Sequence, residues 1–438
     1  MVRQKTIAKW IGILLIITLA IVAYIFASGI AINKNGNIVD SADGASNPKD
    51  NEVIPPPHVP YYSTLPRESE NFENLSVAHI GGEDEETFED VLVLGGATYC
   101  FFSSKSKEFD VKEQGLYLAI LQNGTLNSVK KIGDVGEHIA DIKLSANGIV
   151  VVTKCNENCK IYLFSASGAL IAETKTDTFD SCILYLLNKE LWLFSSTAEK
   201  LFATKISGDL LLEKSRFVYE IASAKVKAIM PQIDGVTLIC ESAENSLHFT
   251  SFQPNTGFKL QNKLDKVSFM QIDTIRADNS INYILLCRQD NAFALFTLDD
   301  AFLPLAEKTI SGSGSACFFV SKLDVTLFCK NTVLRFCRHL DLLSSSALPS
   351  PIIGEMLPIS YFGDRYIAVK QDSSVNVFFV SPDCILTSIF ADTKIANMPR
   401  FVATKDSLLV SYASSNNTGN AHMNFGKSDI FITNIALT

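Results

Sequence analysis

The chain is 438 residues long, 47% hydrophobic and 19% charged, with a formal net charge of −9 and a mean hydropathy of +0.18. That apolar content excludes a disordered chain, and the length exceeds what one hydrophobic core normally fills. The acidity is local: residues 33–90 hold 13 acids against three bases, whereas residues 91–438 carry only −2. A near-neutral main body has no bulk electrostatic attraction for nucleic acid, and no nucleic-acid partner is expected.

Residues 1–9 carry Arg3, Lys5 and Lys9 and read as a short basic tail. Residues 10–32 are uncharged over 23 positions. As a helix this stretch spans ~35 Å, enough to cross ~30 Å of hydrocarbon. The cations precede it, so the tail is expected in the cytoplasm and the rest of the chain outside, as a single-pass protein of the plasma membrane. A cleavable signal peptide competes, with Ala27-Ser28-Gly29 as the cleavage site, but its apolar core is normally shorter, and a retained signal anchor fits better. Residues 33–74 are rich in Asn, Ser and Asp and contain Pro55-Pro56-Pro57 and Pro60. They offer few groups to bury and read as an acidic, flexible linker.

From residue 75 onward the pattern changes. An apolar or aromatic run followed by a Gly- or Asn-containing turn recurs at 116–121, 161–164, 201–204 and 247–252, with weaker copies starting at Phe293, Leu334 and Val375. Short β-branched or aromatic runs precede them, at 90–94, 148–153, 191–195, 236–240, 283–287, 325–329 and 366–369. Their length and bounding Gly, Asn, Asp and Ser predict strands. Many are apolar throughout, as expected of strands buried on both faces.

The phrase recurs about every 40–47 residues, the period of a four-stranded blade, and the units begin near residues 88, 138, 180, 225, 270, 315, 358 and 398. The eighth unit supplies only the runs 400–404, 408–413 and 429–436, while 76–80 (Ser-Val-Ala-His-Ile) is a spare strand ahead of the first. The span 75–438 therefore resembles β-propeller repeat proteins. The predicted fold is all-β: eight blades of four antiparallel strands, or seven if the first unit is irregular, with the N-terminal strand completing the last blade and closing the ring. The run 161–171 resembles a blade of quinoprotein-type and WD-like propellers, but only Trp10 and Trp192 occur, and neither a repeated Trp-Asp pair nor a kelch-type glycine doublet is present. No particular family follows, and no cofactor is expected.

Of ten cysteines, Cys155, Cys240, Cys287 and Cys329 fall at the end of the second strand of their units, which suits small apolar core residues. Cys155 and Cys159 flank three turn residues, and a hairpin there would bring them near disulfide range. The acidic run Glu83-Asp84-Glu85-Glu86 with Glu89 and Asp90 lacks calcium-loop spacing and reads as a solvated junction. No metal site is expected. His138 and Asp141 lie at the inner strand of the second unit, and Arg276 and Arg400 take comparable places in the fifth and eighth. Inner strands line the central channel, so these four are the candidate binding residues.

No HExxH, GxSxG or phosphate-cradling motif appears. The expected function is that of a membrane-anchored extracytoplasmic binding or scaffold module for a protein or an envelope polymer. The alternative is a propeller-type hydrolase or lyase with its site in the central funnel, for which His138 with Asp141 is the pair of interest. A spacer without a ligand is the third reading.

Overall fold

Seven four-stranded antiparallel sheets and one five-stranded sheet account for all 33 strands among the described residues of the computed structural model. Those residues are 61–63 and 75–436, except 83, 107–113, 156–157, 211, 213–216, 222–223, 278–279, 323, 362, 396, 405–406 and 416–426. The expected tail 1–9 and membrane span 10–32 lie outside them. Among the described residues no helix is long and apolar enough to cross a membrane.

The inner strands of blades 1 to 8 are Glu86–Leu94, His138–Ser145, Ser181–Leu187, Lys225–Pro231, Ser268–Ala277, Cys317–Val320, Glu355–Tyr361 and Arg400–Ala403. Each starts within three residues of the position read from the repeat. Neighbouring inner strands touch one another around much of the ring, including blades 8 and 1. Eight blades are present, not seven.

The apolar-then-turn phrase is the third strand of each of blades 1 to 7 and the turn that follows it. In blade 1 Asn123 (φ 51°) and Gly124 (φ 77°) form that turn. Two consecutive left-handed residues match the twist of the flanking strands, which is why Asn-Gly stands there. The third strand of blade 1, Gly115–Gln122, is buried along nearly its whole length. Tyr117, Ala119 and Leu121 pack toward blade 8, whereas Leu118 and Ile120 pack toward blade 2. Alternation therefore persists, but both faces are apolar because each meets a neighbouring blade.

Eight hydrophobic clusters result, each shared by two consecutive blades, and one joins blade 8 to blade 1. Fully burying one such Leu or Phe contributes about 1.5–3 kcal/mol. Every seam carries several, so the stability is distributed as in other repeat folds.

The ring closes through the N-terminal strand. Leu75–Gly81 pairs antiparallel with Asp429–Ala436 as the outer strand of blade 8. A further strand, Tyr61–Ser63, lies inside the segment read as a linker and pairs with Gly81, Ile80 and His79. It makes blade 8 five-stranded.

The expected Cys155–Cys159 bridge is not made, and both thiols are free. The register pairs Cys155 with Asn158 and Lys154 with Cys159, so the loop is two residues rather than three. Residues directly opposite share a face and successive residues alternate, so the two cysteines leave opposite faces of the hairpin.

Candidate functional site

An inner strand pairs on one edge with the second strand of its blade and turns its other edge toward the axis. Backbone N–H groups on that free edge need an acceptor. The preceding blade supplies it through a side chain at six successive seams. Glu89 Oε2 accepts from Ile139 N (3.2 Å), Asp141 Oδ2 from Leu184 N, and Ser181 Oγ from Val226 N (2.9 Å). Glu241 Oε1 accepts from Phe269 N (3.1 Å), Gln271 Oε1 from Phe318 N (2.9 Å), and Ser315 Oγ from Met356 N (3.0 Å). The amide of Gln271 also donates to Phe318 O at 2.8 Å.

Bulges aim several of these side chains. In blades 1, 2, 4 and 5 the register of inner against second strand skips one residue, at Glu89, Ala140, Lys227 and Met270. An extra residue bends the strand and re-aims the side chains beside it. Glu89 is itself the bulged residue, while Asp141 and Gln271 immediately follow one.

On the upper face, where the inner strands begin, blade 1 organises two exposed groups. Glu89 Oε1 lies 2.9 Å from His138 Nδ1 and also accepts from Ser103 Oγ at 2.7 Å. Asp90 Oδ1 lies 3.6 Å from Arg400 Nε across the seam between blades 8 and 1. The side chains of His138 and Arg400 are 65% and 61% exposed, whereas Glu89 and Asp90 are largely covered. Burial pushes the Asp90 carboxyl above its ordinary range, and the Arg400 charge opposes this. Burial also raises Asp141, against its hydrogen bonds from Leu184 N and Ile142 N.

Beside this arc a cleft of about 390 Å³ opens between blades 8 and 1, lined by Glu86, Phe88, Lys394, Met398, Tyr412 and Lys427. Glu86 is 1% exposed, accepts from Ser104 Oγ (2.8 Å), Ser106 Oγ and Gly82 N (3.2 Å), and is pushed up to about 7, chiefly by burial.

Three sequence expectations change. His138 pairs with Glu89 rather than Asp141, because Asp141 is held by Leu184 N and Ile142 N. Arg276 sits at the far end of its inner strand, opposite Ile281, whereas His138 and Arg400 begin theirs; the structure does not bring Arg276 together with the others. The acidic junction is solvated at Asp84 and Glu85, which pair with Lys427 and Lys105, but Glu86 is buried and the Glu89 side chain is largely covered. Glu89 and Asp90, which hold His138 and Arg400, are thus candidate site residues that the sequence did not single out. Their place immediately ahead of the apolar run 91–94 was the available signal.

Among the described residues no group of three or more His, Cys, Asp or Glu is placed to hold a metal ion. No hydroxyl or thiol nucleophile is hydrogen-bonded to His138 among them.

The fold and this arc define the class: an eight-bladed β-propeller with a polar arc on its upper face. No family model matches the chain, and no curated protein matches it. Solved structures similar to it include the Dos1 propeller, at 12% identity over 80% of this chain and 95% of that one, with a TM-score of 0.53. The AfRom2 CNH domain matches at 9% identity over 83% and 100%, with a TM-score of 0.44. The structure of BBS1N in complex with ARL6DN matches at 12% over 66% and 88%, with a TM-score of 0.39. At 12% identity the Dos1 likeness bears on the fold alone.

Proposed function

We propose that the chain is a binding module whose upper face docks a protein or a cell-envelope polymer. One observation carries this reading: His138 and Arg400 are both exposed, and each is held by a mostly covered carboxylate of blade 1. Groups fixed in this way are preorganised to receive hydrogen-bond acceptors or anionic groups at low ordering cost. In this reading residues 10–32 anchor the chain in the plasma membrane, with 1–9 cytoplasmic and the propeller outside. Residues 33–74, apart from Tyr61–Ser63, form the acidic tether. Such tethering raises the effective concentration for a partner in the same membrane. Capture from solubilised membranes tests it, with the full chain compared against His138→Ala/Arg400→Ala. A partner held by the native chain and lost from the variant is expected. Equal recovery by both, or no partner, contradicts it.

The Glu89–His138 pair favours a second reading, a hydrolase or lyase. A carboxylate on Nδ1 orients the imidazole and leaves Nε2 for proton transfer. Turnover of ester, peptide, glycoside or polyuronate substrates that vanishes in His138→Ala while folding is retained supports this reading; no turnover of any of them rejects it.

A further inference from the structure

The lower face, formed by the turns that leave the inner strands and those that join third to outer strands, differs in chemistry from the upper one. Exposed aliphatic side chains collect there. Ile233, at 98% exposure, tips the first turn of blade 4. Leu303 and Leu305 follow the third strand of blade 5, and Leu342 and Leu343 that of blade 6; all four are exposed. The three blades are stitched together at this level, since Asn262 donates to Phe302 O (2.7 Å) and Thr297 to Arg338 O (2.9 Å). Between blades 4 and 5 lies a cleft of about 550 Å³, lined by Ile233, Asp234, Gln253, Leu260 and Leu303, with Lys259 on its wall.

Each aliphatic tip is accompanied by an exposed carboxylate: Asp234 beside Ile233, Asp300 before Leu303, and Asp341 before Leu342. Among the described residues none of the three has a cationic partner. Water-facing aliphatic tips are costly in numbers and mark docking surfaces when contiguous. Asp234, Asp300 and Asp341, interleaved with them, outnumber Lys259 in the cleft and Arg338 in the blade 6 turn and so favour a cationic partner.

We infer that the lower face of blades 4 to 6 is a second docking surface, and that its occupant is a polypeptide segment mixing aliphatic residues with lysine or arginine. The aliphatic side chains enter the cleft and the gaps between turns, and the cations meet Asp234, Asp300 and Asp341. The acidic turns also disfavour an anionic lipid surface at this face. This surface is separate from the upper-face arc and does not depend on it.

The test uses the full chain in nanodiscs and a short labelled peptide of alternating leucine and lysine, followed by fluorescence anisotropy and hydroxyl-radical footprinting. The peptide is expected to bind, to protect Ile233, Leu303 and Leu343 from oxidation, and to bind Asp234→Lys/Asp300→Lys/Asp341→Lys about tenfold more weakly. Ile233→Ser, which leaves the charges intact, is expected to weaken binding about threefold. His138→Ala/Arg400→Ala is expected to leave it unchanged, which separates this surface from the upper one. Equal binding by the native and charge-reversed chains overturns the proposal, as the acidic tether alone would then explain it. Protection of the three residues before peptide is added, by lipid or by a second copy of the chain, also overturns it.

Discussion

His79 Nε2 lies 2.6 Å from Asp429 Oδ2, joining two residues 350 positions apart in the chain. Both side chains are almost wholly buried, and the His79 ring stacks on Phe431 at 4.5 Å. The pair links the N-terminal strand to the last blade, where the ring is completed by pairing rather than by a covalent connection. Removing one member of a buried hydrogen-bonded pair leaves the other unsatisfied and costs about 1–3 kcal/mol or more. His79→Ala and Asp429→Ala are each expected to lower the urea midpoint, and the unfolding free energy derived from it by that order. Gly81→Ala is expected to destabilise as well, because its Cβ would fall 2.2 Å from Asp429 Oδ1. Unchanged midpoints would show that the strand does not close the ring.

Glu86 gives this seam a pH dependence. Its folded pKa, about 7, stands above the ordinary 4.5, chiefly through burial and with Asp429 adding to the rise. A raised carboxyl contributes stability in full below about pH 4.5 and loses it as pH climbs through 7. Thermal melts are expected to show a loss on the order of 2 kcal/mol between pH 5 and 8 that Glu86→Gln abolishes. A native chain equally stable at both pH values contradicts the assignment.

The side-chain acceptors between inner strands make a separate prediction. Gln271→Leu removes both hydrogen bonds to Phe318, and Asp141→Ala strips the acceptor from Leu184 N. A buried N–H left unsatisfied costs about 1–3 kcal/mol. Each variant is expected to lose that much in chemical denaturation, whereas Lys308→Ala, on the exposed outer strand of blade 5, is expected to lose little.

The thiols are expected to be reduced and, where buried, inert. Burial pushes Cys240 up to about 12 and Cys329 to about 11, so little thiolate is available to attack an alkylating agent. Iodoacetamide at pH 8 is expected to spare both in the folded chain and to label them after denaturation. Cys155 and Cys159 are expected to be labelled after denaturation without any reductant. Labelling of that pair only after reduction would reinstate the bridge.

The repeat was legible because its determinants are local. A strand such as Gly115–Gln122, apolar on both faces, followed by Asn123-Gly124, announces itself within ten residues, and the starts of the blades followed. The spare strand at 76–80 was legible from the missing fourth strand of the last unit. Register was not. Bulges at Glu89 and Ala140 have no sequence signature, yet the first lets His138 meet Glu89 and the second turns Asp141 to the next blade. The acidic junction misled for a related reason. Like charges in a row usually indicate solvent, but Glu86 is taken in by Ser104, Ser106 and Gly82, two of which lie on the neighbouring strand and the segment after it. Tyr61–Ser63 pairs only because the closing strand offers it an edge, a tertiary cause that no short window contains.

Closure of the eight-bladed ring by its N-terminal strand is most directly tested by amide hydrogen exchange of the native full chain, followed by mass spectrometry. Residues 75–81 are expected to be protected to the same degree as 429–436, with both losing protection together in His79→Ala. Rapid exchange across 75–81 while 429–436 stays protected would contradict it.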